Sequence, residues 1–171
     1  MMRILILSIV SLSTVLFAGN PQSKQQGDMA AGKQSQTQPH TRTRAKARIT
    51  VHWSDAKPYD QTGGLLLIEI NISETFTGEI DGESKVRSLQ FQGGEKSASQ
   101  VSMQRFSGKL GGREGTFVLQ GSEKVENGKI KATWFVVPGS GTGDLFGLRG
   151  EGGFEGGFGK GSDGWLDYWF E

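Results

Sequence analysis

The chain has 171 residues, 35% of them hydrophobic, with 27 glycines, no cysteine and a formal net charge of +1. That glycine share is roughly twice the usual ~7% and, with scattered aromatic and β-branched residues, favours tight turns and strands. The missing cysteine excludes disulfides, thiol catalysis, cysteine-based metal sites and a lipoprotein anchor. The charge is unevenly placed: Lys24, Lys33, Arg42, Arg44 and Lys46 lie in a basic leader with only Asp28 opposing them, whereas acidic residues outnumber basic ones from Ala47 onward. A mildly acidic domain is a poor partner for a phosphate backbone, so no nucleic-acid role is expected.

Residues 1–18 read as a secretory signal peptide. Arg3 supplies the positive start, Ile4 to Phe17 is an apolar stretch broken by Ser8, Ser11, Ser13 and Thr14, and Ala18 offers a small residue for cleavage. The stretch is short for a membrane span of ~20 residues. Leu16 is larger than ideal before that cleavage point, so an uncleaved anchor is the competing reading. Residues 19–42 are Gln-, Ser-, Gly- and Thr-rich and nearly free of large apolar side chains. They are expected to form a disordered spacer, because such a segment cannot offset its ordering entropy.

Alternation begins near Thr43 and continues to Glu171, the span read as the folded domain. Ala45, Ala47, Ile49, Val51 and Trp53 fall at period two, which predicts a half-buried strand. Pro58 and Gly63-Gly64 punctuate the next connection. Leu66, Ile68, Ile70, Ile72, Glu74 and Phe76 share one face of a second strand. Ile80, Gly82, Ser84 and Val86 predict a third. Val101, Met103 and Arg105 alternate with Ser102 and Gln104 in a fourth, with the first set assigned to the apolar face. Phe117, Leu119 and Gly121 mark a fifth strand. Asn127-Gly128 is a hairpin signal, because both central residues of a type I′ turn need positive φ. Ile130 to Val136, Leu145 to Phe154 and Leu166 to Phe170 complete eight strands.

Eight strands with short connections and no amphipathic helix predict an all-β chain, a closed antiparallel eight-stranded meander barrel. A β-sandwich is the rival. An outer-membrane barrel would need an apolar outside and a polar inside, whereas most strands here pair one apolar face with one polar face, so no stable membrane insertion is expected after signal cleavage.

Several collinear motifs carry a family resemblance: Trp53-Ser54-Asp55 with Pro58-Tyr59, Phe76 to Glu83, Phe106 to Gln120, Ala132-Thr133-Trp134, Val137 to Gly143, Leu148 to Gly152, and Leu166-Asp167-Tyr168. On these, residues 49–171 resemble the bacterial family called domain of unknown function 3224. The resemblance implies a small closed β-barrel, similar in fold to the plant allene oxide cyclases. It does not imply cyclase activity, since fold alone does not carry function.

Motifs for chemistry are sparse. Gly159 to Gly164 matches G-x-G-x-x-G, but a strand follows where a dinucleotide site needs a helix, so a hairpin loop is expected. Gly139, Ser140, Gly141, Thr142 and Gly143 lack the lysine and helix of a phosphate loop and read as a structural turn. Pro138 stands where a nucleophile elbow around Ser140 would need glycine. His40 and His52 are too isolated for a metal site, and Asp81 and Glu83 lack calcium-loop spacing. No metal or cofactor is expected.

The candidate ligand-binding residues are Glu74 and Arg105, charged residues on apolar strand faces, with Trp53, Trp134 and Tyr168 as lining aromatics. Pointing inward, Glu74 and Arg105 would pair or address a ligand's polar end. The alternative is exposure of both at strand ends, with the aromatics as plain core. The expectation is a secreted or periplasmic barrel that binds a small, largely apolar molecule. The alternatives are an isomerase or cyclase using Glu74 on an apolar substrate, or an interaction module with a filled core.

Overall fold

The computed structural model of the chain describes residues 41–157 and 161–171. The predicted signal peptide, most of the spacer, His40 and the start of the G-x-G-x-x-G motif lie outside the described residues. The strands are β1 (Thr43–Asp60), β2 (Leu66–Gly78), β3 (Ile80–Gly94), β4 (Ser97–Leu110), β5 (Arg113–Glu126), β6 (Lys129–Val136), β7 (Leu148–Gly157) and β8 (Ser162–Phe170). They form a closed antiparallel barrel in which every strand pairs with its sequence neighbours and β8 pairs with β1. Closure distinguishes this fold from the sandwich. Short 3₁₀ turns at Thr62–Gly64 and Gly143–Leu145 interrupt the connections.

Strand faces follow from burial and register. Phe76, Phe106 and Phe117 are almost fully buried and point inward. Residues directly opposite them share that face. The Phe106 ring meets Phe76 edge-on at 5.5 Å between centroids and Phe117 at 4.8 Å. Trp134, Leu119, Val136, Leu148 and Leu166 join them, with Ala45, Ala47 and Ile49 giving the small β1 wall. Full burial of each Phe contributes about 2 to 3 kcal/mol. This core fills the base, the end at which β1 begins.

Segment 137–147 closes the base. The first residues of β5 have no partner on β6, and this segment takes that place. The Val137 N–H donates to the Val118 carbonyl at 2.9 Å and the Thr142 N–H to the Thr116 carbonyl at 2.9 Å. Ser140 Oγ accepts from the Val118 N–H at 3.0 Å and donates to the Val137 carbonyl at 2.7 Å. Leu145, fully buried, plugs the end. Gly152 on β7 permits a close approach: a Cβ there would lie 2.1 Å from the Trp165 carbonyl oxygen and 2.8 Å from Trp134 Nε1. Asn127 (φ 53°) and Gly128 (φ 76°) form the left-handed pair of the β5–β6 hairpin.

Three element boundaries and faces differ from the sequence reading. β1 runs through Pro58 to Asp60, where the sequence pattern places a connection. The seventh strand starts at Leu148, because residues 143–145 form the 3₁₀ turn. On β4 the faces are reversed. Ser102, Gln104 and Phe106 are buried, while Val101 (57% exposed) and Met103 (49%) face solvent. The pairing explains this: Phe106 sits opposite Ser84 and Phe117, all inward, and the pleat then carries Gln104 and Ser102 inside.

Candidate functional site

The far end of the barrel, the mouth, is built differently from the base. Strands β1 to β5 have 13 to 18 residues, but β6 to β8 have only 8 to 10. β8 pairs with β1 only from Thr43 to Ile49. Beyond Ile49, β1 has no strand on that side among the described residues. The interior is consequently reachable beside β1: the inward positions Ser54, Ala56 and Pro58 are exposed, and Ile68, Ile70 and Ile72 opposite them keep partial exposure.

Between this apolar isoleucine wall and the base lies a belt of polar side chains. Glu74 Oε1 accepts from Ser84 Oγ at 2.9 Å and from the Gln104 side-chain amide. That amide also donates to Ser84 Oγ at 2.7 Å. Ser84 is 3% and Gln104 5% exposed. Further round, Glu123 accepts from Ser102 Oγ at 2.9 Å and from Gln100. Ser88, also buried, donates to the Ile70 carbonyl. Buried polar groups are tolerated when hydrogen-bonded in this way.

Among the described residues neither carboxyl has a cationic partner, for the ion pairs all join other groups: Arg42–Glu151, Arg44–Asp167, Arg48–Asp163, Lys57–Asp55, Arg87–Glu69, Lys131–Glu155 and Arg149–Glu171. Burial pushes the Glu74 carboxyl up to about 7; the Ser84 and Gln104 hydrogen bonds pull it down, while the Glu123 charge adds to the rise. Burial also raises Glu123, against its Ser102 hydrogen bond. An inward carboxyl with that balance changes its protonation near neutrality and has the chemistry of a hydrogen-bond acceptor once ionised.

The five candidates separate. Glu74 is the one in the polar belt. Trp134 is buried in the core between Phe76 and Phe154, its Nε1 donating to the Trp165 carbonyl at 3.1 Å. Tyr168 packs at the base, beside Phe170 and Gly111. Arg105 lies on the outer face opposite Lys85 and Val118, so it does not pair with Glu74. Trp53 also lies outside, 54% exposed, although it shares parity with Ile49. The reason is a bulge: Val51 pairs with Glu74 but Trp53 with Ser73, and the extra residue His52 reverses every later side chain. The 139–143 run, lying against β5, holds backbone and hydroxyl partners of the chain itself.

The sequence reading missed Gln100, Ser102, Gln104 and Glu123. Glu123 was within reach, since it continues the parity of Phe117, Leu119 and Gly121. No group of three or more metal-ligating side chains occurs among the described residues.

Fold and site together define a closed eight-stranded barrel with a base filled by apolar side chains and a polar belt inside its open half. Residues 45–171 match the family described as "Protein of unknown function (DUF3224)", and the chain belongs to that family. A solved structure, a protein of unknown function from that family in Shewanella oneidensis MR-1, is similar: 28% identity, TM-score 0.64, covering 77% of this chain and 98% of the other. No curated protein matches.

Proposed function

We propose that the open half of the barrel binds a small amphipathic molecule. Its polar end would donate hydrogen bonds to Glu74, and its apolar part would lie along Ile68, Ile70 and Ile72. The observation that carries this reading is the cluster of half-buried Glu74 with buried Ser84 and Gln104 inside a lumen reachable beside β1. Such pockets combine apolar walls with a few placed polar groups. The belt shifts the expected ligand from largely apolar to donor-bearing: amines and alcohols fit an acceptor without a cationic partner, and carboxylates do not.

Octylamine, octanol and octanoate serve as probes, with binding read by calorimetry at pH 8. The expected order is amine, then alcohol, with octanoate not bound, and Glu74→Gln weakens octylamine at least tenfold. Octanoate binding as tight as octylamine, or an unchanged affinity in the variant, would sink the reading.

A second reading rests on the Glu74 carboxyl near 7. It supports a general acid–base role in an isomerase-type reaction on the same ligand class, tested by turnover that follows that ionisation and disappears in Glu74→Gln. The sequence of residues 1–18 supports export, so these ligands would be met outside the cytoplasm. N-terminal sequencing of the protein from its natural host tests cleavage after Ala18.

A further inference from the structure

The stretch of β1 beyond Ile49 is a sheet edge. It pairs with β2 from Trp53 to Asp60, and no strand covers its other side among the described residues. Its side chains are exposed, apart from Asp55, which is half-buried. Such an edge presents unpaired backbone donors and acceptors and is a template for another strand. Pro58 lacks an N–H and removes one donor, but the remainder of the edge is intact.

The order of residues on this edge is self-complementary. Set two copies antiparallel about Ala56. Ala56 then faces Ala56, Asp55 faces Lys57, Lys57 faces Asp55, Trp53 faces Tyr59 and Tyr59 faces Trp53. After the His52 bulge, residues 53, 55 and 57 alternate onto one outer face, and Tyr59 follows at a second register shift between Pro58 and Asp60. That face therefore brings together two opposite-charge pairs, with the exposed rings of Trp53 and Tyr59 at the two ends of the stretch. Directly opposed charges and aromatics are the pairs that stabilise antiparallel strands. Within one copy, Lys57 Nζ already lies 2.9 Å from Asp55 Oδ2, so both groups occupy the same patch. Trp53 and Tyr59 are each more than half exposed, the expected state of aromatics awaiting a partner.

We propose that this edge pairs with a second copy of the chain, β1 against β1 over residues 53–59 about a twofold axis at Ala56, making one sheet continuous across a dimer. A twofold interface must be complementary to itself, and this segment is. The occupant is a second copy rather than a foreign strand because the charges find their complements within the same seven-residue stretch.

Sedimentation velocity on the purified protein over a concentration series tests the arrangement. The expected mass is twice that of the chain. Lys57→Asp sets like charges opposite each other at both crossings and returns the monomer mass. Adding Asp55→Lys to it restores the dimer, because the swapped pair is again self-complementary. The chain lacks cysteine, so Ala56→Cys supplies one thiol per copy. Opposed Cα atoms in antiparallel strands are about 4.5 to 5.5 Å apart, within disulfide range. Mild oxidation is expected to give a covalent dimer. A monomer at every concentration overturns the proposal, as does a dimer that survives Lys57→Asp and leaves the thiols of the Ala56→Cys variant unlinked. Ligand affinity is measured independently, so failure here does not bear on the lumen.

Discussion

Replacing Glu74 by Gln tests the polar belt through stability alone. Gln keeps the shape and can still accept from Ser84 and Gln104, but it does not titrate. In the unfolded chain Glu74 loses its proton near 4.5; in the fold it keeps the proton up to about 7. Between those values the folded state binds more protons than the unfolded one. The stabilising contribution is therefore complete below pH 4.5 and is lost as pH rises through about 7. Each pKa unit is worth about 1.4 kcal/mol, and residual solvent at the half-buried carboxyl leaves about 2 to 3 kcal/mol. The Gln variant is thus expected to match the parent near pH 4 and to exceed it by about 2 to 3 kcal/mol at pH 8, roughly 10 °C in melting temperature. Urea unfolding of both proteins at pH 4, 5, 6, 7 and 8 measures it. Asp60 and Asp167 have lowered values and act below that window. Glu123 shifts in the same sense as Glu74 and leaves the variant a residual slope. A parent–variant difference that is constant with pH would refute the buried, cation-free placement of Glu74.

Three further outcomes follow from the geometry. Gly152→Ala drives a methyl group against the Trp165 carbonyl and should cost about 3 kcal/mol in urea unfolding, with no effect expected from Gly112→Ala on steric grounds beyond its backbone strain. Ser140→Ala removes the acceptor of the Val118 N–H and the donor to the Val137 carbonyl; a loss of about 1 to 2 kcal/mol is expected, and no loss would mean the base is not clamped there. Octylamine-induced fluorescence change should persist in Trp53→Phe, because that ring faces solvent; its loss in this variant would place the ligand on the outer face.

Much of the barrel was legible because most of its strands obey one rule, apolar side in. β2 shows it, and its pattern led directly to Glu74. β4 breaks the rule, and alternation alone cannot reveal that. Period two divides Val101, Met103 and Arg105 from Ser102, Gln104 and Phe106, but it assigns neither set to the inside. Phe106 was the arbiter: extending the window to it puts a large ring on the serine and glutamine side. β3 carries the same inversion towards its end, where Leu89 and Phe91 are exposed and Ser88 is buried. The outer position of Trp53 was not legible at all. A bulge changes facing by one residue and leaves the composition of the alternating run untouched.

The polar belt and the free edge have one structural cause. β6 to β8 stop short of the ends of β1 to β5, so the sheet closes fully only at the base. Where it closes, the inward residues are aromatic and aliphatic and almost fully buried. Where it does not, β1 loses its neighbour and the interior gains a lateral opening. Polar side chains are tolerable there because the opening lowers the cost of burying them. Filling the lumen with hydrophobic residues at Gln100, Ser102, Gln104 and Glu123 would have extended the core and made a more stable barrel by area alone. The chain instead holds two raised carboxyls beside an open wall. Interior carboxyls without cations lower stability at neutral pH, and nothing in the packing of the base requires them. The packing of the fold therefore does not account for their place in the barrel, and it is on this feature that the proposed ligand-binding role rests.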